Sequence, residues 1–230
     1  MIARRAAGAF VLAALVFATL AASNDASFHY LDPHRVDLTV LLPPPPELGS
    51  AQQRADQAQV AAAVAARNPS QLFYAQEESK RDVFVYARSI GPDFTPERLP
   101  VTARFFDRIG SDVAKLIDLA KTYWARPRPD GASRKRGSYP SGHAAFAAAS
   151  AVVLSQLLPE KRDAIFNQAR LFAENRIILG LHYPTDIAAG WTAGTLAVAA
   201  MMENPLFRRD FAAAKTELRR AHLTATAGGR

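Results

Sequence analysis

The chain has 230 residues, enough for one domain with a sizeable core, and 49% of them are hydrophobic. Lysine and arginine (28) outnumber aspartate and glutamate (21) for a formal net charge of +7, and there is no cysteine. Disulfide scaffolding, thiolate catalysis and thiolate metal sites are therefore excluded, and the abundance of alanine favours helices over strands.

Residues 1–22 read as a signal peptide. Arg4 and Arg5 form a positive start, Ala6 to Ala18 an apolar stretch, and Ala21, Ala22 and Ser23 a cleavage site of small residues. The expected location is periplasmic or secreted. Cleavage removes two arginines and no acid, leaving 26 basic and 21 acidic residues, net +5. The basic residues are scattered without interleaved aromatics, so nucleic acid is not expected as a partner. No later segment is long and apolar enough to cross a bilayer, and no membrane span is expected in the mature chain.

Residues 23–50 read as an extended N-terminal arm. His29 and His34 lie in its polar part and are read as surface residues, and Pro43 to Pro46 enforce a polyproline II strap. Ser50 is a candidate N-cap for a helix from Ala51 to about Arg67, which Asn68-Pro69 breaks. A second helix is expected from Ser70 towards Ala87, with Leu72, Phe73, Ala75 and Val83 as candidate core positions. From Pro100 to Tyr123, Phe105, Ile109, Val113, Leu116, Ile117 and Ala120 recur at helical spacing, and Pro127 and Pro129 end that helix. A polar basic loop (130–139) follows. Helices are then expected from Gly142 to Leu158, Glu160 to about Leu179, Pro184 to Met202 and Pro205 to His222. Gly190 and Gly194 offer a small-residue face for close helix packing. No run alternates like a strand, and no repeat or linker divides the chain. The expected fold is all-α, a single-domain helical bundle over 51–222, with 223–230 as a fraying tail.

Chemistry concentrates between Lys121 and Asp186. His143 follows Pro140-Ser141-Gly142 at a helix start, where unpaired backbone N–H groups and the helix dipole make an anion site. Taken alone, this reads equally well as an ordinary capped helix. His182 precedes Tyr183-Pro184, and Asp186 can reach back to its ring, fix the tautomer and leave the other nitrogen as a nucleophile. Taken alone, Asp186 reads first as a complement to the helix dipole. The cations decide between these readings. Lys121 and Arg128 are seven residues apart, two helical turns if the helix persists, and Arg176 stands six residues before His182. A transferring phosphoryl group is stabilised mainly by positioned charge, and arginine's fork matches its oxygens. Arg126, Arg134, Lys135 and Arg136 are read as surface charges.

Lys121-x6-Arg128-Pro129, Pro140-Ser141-Gly142-His143 and Arg176-x5-His182-x3-Asp186 resemble the three-part signature of the type 2 phosphatidic acid phosphatase superfamily. The exported N-terminus, the LLPPPP strap and the single domain make the chain similar to the bacterial class A non-specific acid phosphatases within it. Asn175 departs from the serine usual before the third-cluster arginine, and only ten residues separate Pro129 from Pro140.

The resemblance implies an acid phosphatase acting on small phosphomonoesters, without cofactor or metal. His182 would attack phosphorus, Asp186 would orient it, and His143 would protonate the leaving group and then activate water. Lys121, Arg128, Ser141, Gly142 and Arg176 would hold the phosphate. Because His143 must begin protonated, an acidic optimum is expected, and a homodimer using the N-terminal arm is compatible with the resemblance. Two other readings remain open: a vanadium-dependent haloperoxidase, which resembles this superfamily in the same anion pocket, and a non-catalytic helical module that binds phosphate or an anionic headgroup.

Overall fold

The computed structural model describes residues 27–131 and 136–224; the expected leader and most of the expected tail lie outside them. Among the described residues there are nine α-helices and no strand: α1 (Leu38–Leu41), α2 (Ala51–Ala66), α3 (Pro69–Glu77), α4 (Ala87–Ile90), α5 (Pro100–Trp124), α6 (Gly142–Leu157), α7 (Arg162–Ile178), α8 (Pro184–Met202) and α9 (Pro205–Arg220). The all-α expectation holds.

Helix α6 is apolar on every side, the pattern of a helix that must be surrounded. Ala144, Ala145, Ala147, Ala148, Ala149 and Ala151 are fully buried, and α5, α7 and α8 pack around them. Small residues let these neighbours come close. A Cβ added at Gly190 would overlap the carbonyl oxygen of Ser141, and one at Gly194 would overlap that of Ala145. The two glycines therefore bring α8 onto α6 backbone to backbone, the packing face the sequence suggested. Phe105, Phe207 and Phe211 join α5 to α9, and Glu217 of α9 accepts from the backbone N–H groups of Val101 and Thr102, capping α5 from outside.

The arm is tied to the bundle by one carboxylate. Asp112 on α5 is fully buried and accepts from the backbone N–H groups of His29, Tyr30 and Leu31. His29 and His34 stay exposed, as expected. The strap runs back towards the bundle, and Pro43 accepts a hydrogen bond from the Tyr139 hydroxyl.

One expectation fails locally, and the condition attached to the Lys121–Arg128 spacing is not met although α5 ends within one residue of its expected limit. The single helix from Ser70 to Ala87 is broken: α3 starts one residue earlier behind an Asn68–Gln71 capping box, stops at Glu77, and a turn and a 3₁₀ segment (Val83–Tyr86) precede α4. Ala75 and Val83 are buried as expected, but Phe73 is exposed. Helix α5 does not continue from Lys121 towards Arg128. Ala125 takes a left-handed conformation (φ 46°) and ends the helix before Pro127 is reached.

Candidate active site

The C-terminal ends of α5 and α7 meet the N-terminal ends of α6 and α8, and all eight candidate residues stand at this junction. Short backbone links hold it. The Ser141 N–H donates to the Asp186 carbonyl (2.9 Å), joining the second cluster to the third. Gly180 (φ 69°) turns the chain after α7, so that the N–H groups of Leu181 (2.9 Å) and His182 (3.3 Å) return to the Arg176 carbonyl. That turn brings two groups six residues apart in sequence to one place.

His182 and Asp186 are both buried. Asp186 Oδ2 lies 3.2 Å from His182 Nδ1 and 2.9 Å from the Tyr183 N–H. A carboxylate only accepts, so Nδ1 carries the proton and Nε2 presents its lone pair. Arg128 Nη1 stands 3.2 Å from that Nε2 and donates to the Leu181 carbonyl at 2.9 Å. Burial pulls the imidazole down to about 4, against the Asp186 hydrogen bond that favours its charged form. Burial pushes the Asp186 carboxyl up, but the hydrogen bond and charge of His182, with Arg126, bring it below the usual carboxylate range.

Ser141 caps α6 through its hydroxyl, and Gly142 is buried beneath the Arg81 guanidinium: an added Cβ would meet Arg81 Nη1 at 3.3 Å. His143 Nε2 lies 2.9 Å from the Ser79 carbonyl. A carbonyl cannot donate, so Nε2 bears hydrogen and Nδ1 is the nitrogen left for exchange. Burial, then the nearby Arg176 charge, pulls this imidazole down to about 3.

Lys121 donates Nζ to the carbonyls of Gly137 (2.7 Å) and Ser138 (2.9 Å), and burial, then Arg128, pulls it down to about 7. Arg176 is buried and donates Nη2 to the carbonyls of Ala75 (2.7 Å) and Glu78 (3.3 Å). Its Nε has no hydrogen-bond partner among the described residues. Buried donors without partners are uncommon, and Arg126 Nε is another among the described residues.

Three residues change their standing. Arg126, expected on the surface, is 3% exposed: Nη1 donates to Asp186 Oδ1 and Thr185 Oγ1 (both 2.7 Å), Nη2 to Asp56 Oδ2 (2.8 Å) and Gln53 Oε1. Of the other three, Arg136 is exposed and paired with Asp118, while Arg134 and Lys135 lie outside the described residues. Asn175 donates Nδ2 to Glu78 Oε2 (2.6 Å), so its amide braces the turn after α3. Arg81, which sequence spacing did not single out, overlooks Gly142 because the break after α3 points it there.

The PAP2 superfamily pattern matches residues 109–210. The non-specific acid phosphatase of Providencia stuartii is 31% identical, over 92% of this chain and 94% of that protein. That of Salmonella typhi is 28% identical, over 91% and 90%. The crystal structure of a transmembrane PAP2-type phosphatidylglycerolphosphate phosphatase from Bacillus subtilis shares the helical fold, with a TM-score of 0.50 and 23% identity over 72% of this chain and 89% of that one. No described helix here is long and apolar enough to cross a membrane.

Proposed function

The chain belongs to the PAP2 superfamily, and from that premise we propose that it is an exported acid phosphatase that hydrolyses phosphate monoesters through a phosphohistidine, without a metal ion. The observation that carries the reading is the pairing of His182 with Asp186, which leaves Nε2 as a lone pair facing Arg128.

In this reading His182 Nε2 attacks phosphorus and the ester P–O bond breaks. The departing oxygen takes a proton from His143, whose Nδ1 faces the exchange while Nε2 stays on the Ser79 carbonyl. Water then gives that proton back to His143 as its oxygen attacks phosphorus. The N–P bond breaks, and inorganic phosphate leaves. Lys121, Arg128 and Arg176, with the Ser141–Gly142 end of α6, meet the charge spread over the phosphoryl oxygens.

An acidic optimum follows, with a cause that differs from the sequence expectation. In the free site His143 is held neutral, with its pKa at about 3, and the dianionic charge of a bound ester is what favours its protonation. The limits on the free enzyme come instead from His182, about 4, and Lys121, about 7.

The test is hydrolysis of p-nitrophenyl phosphate at pH 5–6 in EDTA. Turnover that survives EDTA and is blocked by vanadate supports the reading; turnover that needs an added metal overturns its metal-free part.

A further inference from the structure

Taking the His182–Asp186 pairing as read above, we infer that Arg126 is a positioning residue for the reaction: its guanidinium holds Asp186 by Oδ1, so that Oδ2 is committed to His182. The inference rests on that reading but goes beyond the residues that would touch phosphate.

The geometry of the guanidinium carries the argument. Asp186 has two oxygens, and each has its own partners: Oδ2 takes His182 and the Tyr183 N–H, Oδ1 takes Arg126 Nη1 at 2.7 Å. A carboxylate held at one oxygen only can swing, and a one-ångström swing would release the imidazole. Arg126 cannot swing either. Its second nitrogen is fixed by Asp56 and Gln53 of α2, and its plane lies over the Tyr183 ring with Cζ 4.2 Å from the centroid. Asp56 also accepts from the Thr185 hydroxyl, so α2 and the start of α8 close round the same guanidinium.

The chain delivers Arg126 there by a specific local route. Ala125 in the left-handed region ends α5 one residue before it. The Arg126 carbonyl then accepts from the Ser138 N–H (2.8 Å), and a Cβ at Gly137 would come within 2.9 Å of the Arg126 nitrogen. The returning loop is thus packed directly on the backbone that carries the guanidinium.

Charge fits the same role. Arg126 lies between two carboxylates, Asp56 and Asp186, at 2.8 and 2.7 Å. With His182 neutral the buried group of four carries one negative charge, and a positive charge developing on the imidazole would balance it. The groups facing Asp186 are Arg126 from the loop, Asp56 from α2, His182 and Tyr183 from the entry to α8, Lys121 from α5 and Tyr139 before α6. Removing the guanidinium raises the Asp186 carboxyl and also strips a positive charge from near His182, so both changes move the acid limb of the rate profile to higher pH.

The experiment uses the full chain with Arg126→Gln, Arg126→Lys and Asp56→Asn, beside His182→Ala, and measures kcat and KM for p-nitrophenyl phosphate from pH 3.5 to 8, with melting temperature. Outer groups that orient a metal-bound side chain are worth about 10- to 100-fold, and Arg126 orients Asp186 by the same kind of contact. Arg126→Gln should therefore lose about that much in kcat, with KM within about threefold and the acid limb displaced upward. Arg126→Lys, which keeps the charge but not the fork, should displace the limb less while still losing kcat. If Arg126→Gln does not fold, Asp56→Asn loosens the anchor with Arg126 in place and should lower kcat by about the same factor. Because it removes a negative rather than a positive charge, the acid limb should not move upward. Wild-type kcat and an unmoved acid limb in a folded variant would overturn the inference. So would a loss of rate that tracks melting temperature alone. If His182→Ala keeps its turnover, the underlying reading fails instead, whatever Arg126 does.

Discussion

His182 Nδ1 and Asp186 Oδ2 stand 3.2 Å apart across the start of one helix, and the carboxylate is fully buried. An amide in place of that carboxylate could offer its oxygen or its nitrogen to the ring, and only the oxygen preserves the tautomer. Losing the correct tautomer of a catalytic histidine costs about 10⁴ in kcat. Asp186→Asn should fall by about 10³ to 10⁴ in kcat with little change in KM, read by steady-state kinetics at the optimum.

The pH profile of kcat/KM should be a bell with limbs near 4 and 7. Below about 4 His182 takes up a proton and loses its lone pair; above about 7 Lys121 loses the charge that meets phosphate. A profile that rises steadily to pH 9 would contradict both assignments. Lys121→Arg should keep its charge beyond pH 8 and move the alkaline limb upward.

Stability should fall on the acid side of neutrality. The ordinary histidine value is 6.5, and the fold lowers His182 to about 4 and His143 to about 3. Above 6.5 both rings are neutral folded or unfolded, so their protonation takes nothing from stability. Below 6.5 the unfolded chain binds protons that the folded chain refuses, and stability is lost as the pH falls towards 4. Calorimetry should give a lower melting temperature at pH 4.5 than at pH 7. His182→Asn should flatten that slope.

The two close-packed glycines should be intolerant of one carbon. Gly190→Ala and Gly194→Ala each push a methyl group into an α6 carbonyl, and overpacking of this kind costs about 1–3 kcal/mol. The expected fall in melting temperature is about 2–4 °C per kcal/mol for a chain of this size. Gly190→Ala should also lower activity, because the carbonyl it strikes belongs to Ser141; Gly194→Ala, one turn further on, should destabilise more than it inactivates.

Asn175 should act on the pocket through the turn after α3. Its amide holds Glu78, and the carbonyls of Glu78 and Ser79 hold Arg176 and His143. Asn175→Ala should raise KM by about 3- to 10-fold, the worth of roughly one hydrogen bond of about 1 kcal/mol, with a smaller change in kcat. An unchanged KM would mean that the turn is held without it.

Most of this architecture was legible because it depends on local sequence signals. Helix α8 starts at Pro184 and ends at Met202 as read, since a proline suits the first turn and the apolar run stops where Asn204-Pro205 begins the next element. The second and third motif clusters fell together because α6, α7 and α8 are consecutive and short turns join them, while the first, at the end of α5, reaches them through the connection 125–141. What sequence missed depends on partners distant along the chain. Arg126 looks like its basic neighbours until α2 supplies Asp56, 70 residues earlier, to receive it. The hydrogen bond between Asn175 and Glu78 spans 97 residues, and no spacing rule connects them. The stop at Ala125 is a backbone choice by an ordinary alanine, for which composition carries no signal.

The most direct measurement is to quench the protein with acid-free denaturant during turnover of a radiolabelled phosphomonoester and map the label on peptides. Alkali-stable, acid-labile phosphate is expected on the peptide containing His182, absent in His182→Ala and, with labelled p-nitrophenyl phosphate, whose phenolate departs without needing a proton, accumulating when His143 is replaced by alanine. Label on a serine or aspartate, or steady turnover with no labelled histidine at any quench time, would contradict the phosphohistidine reading.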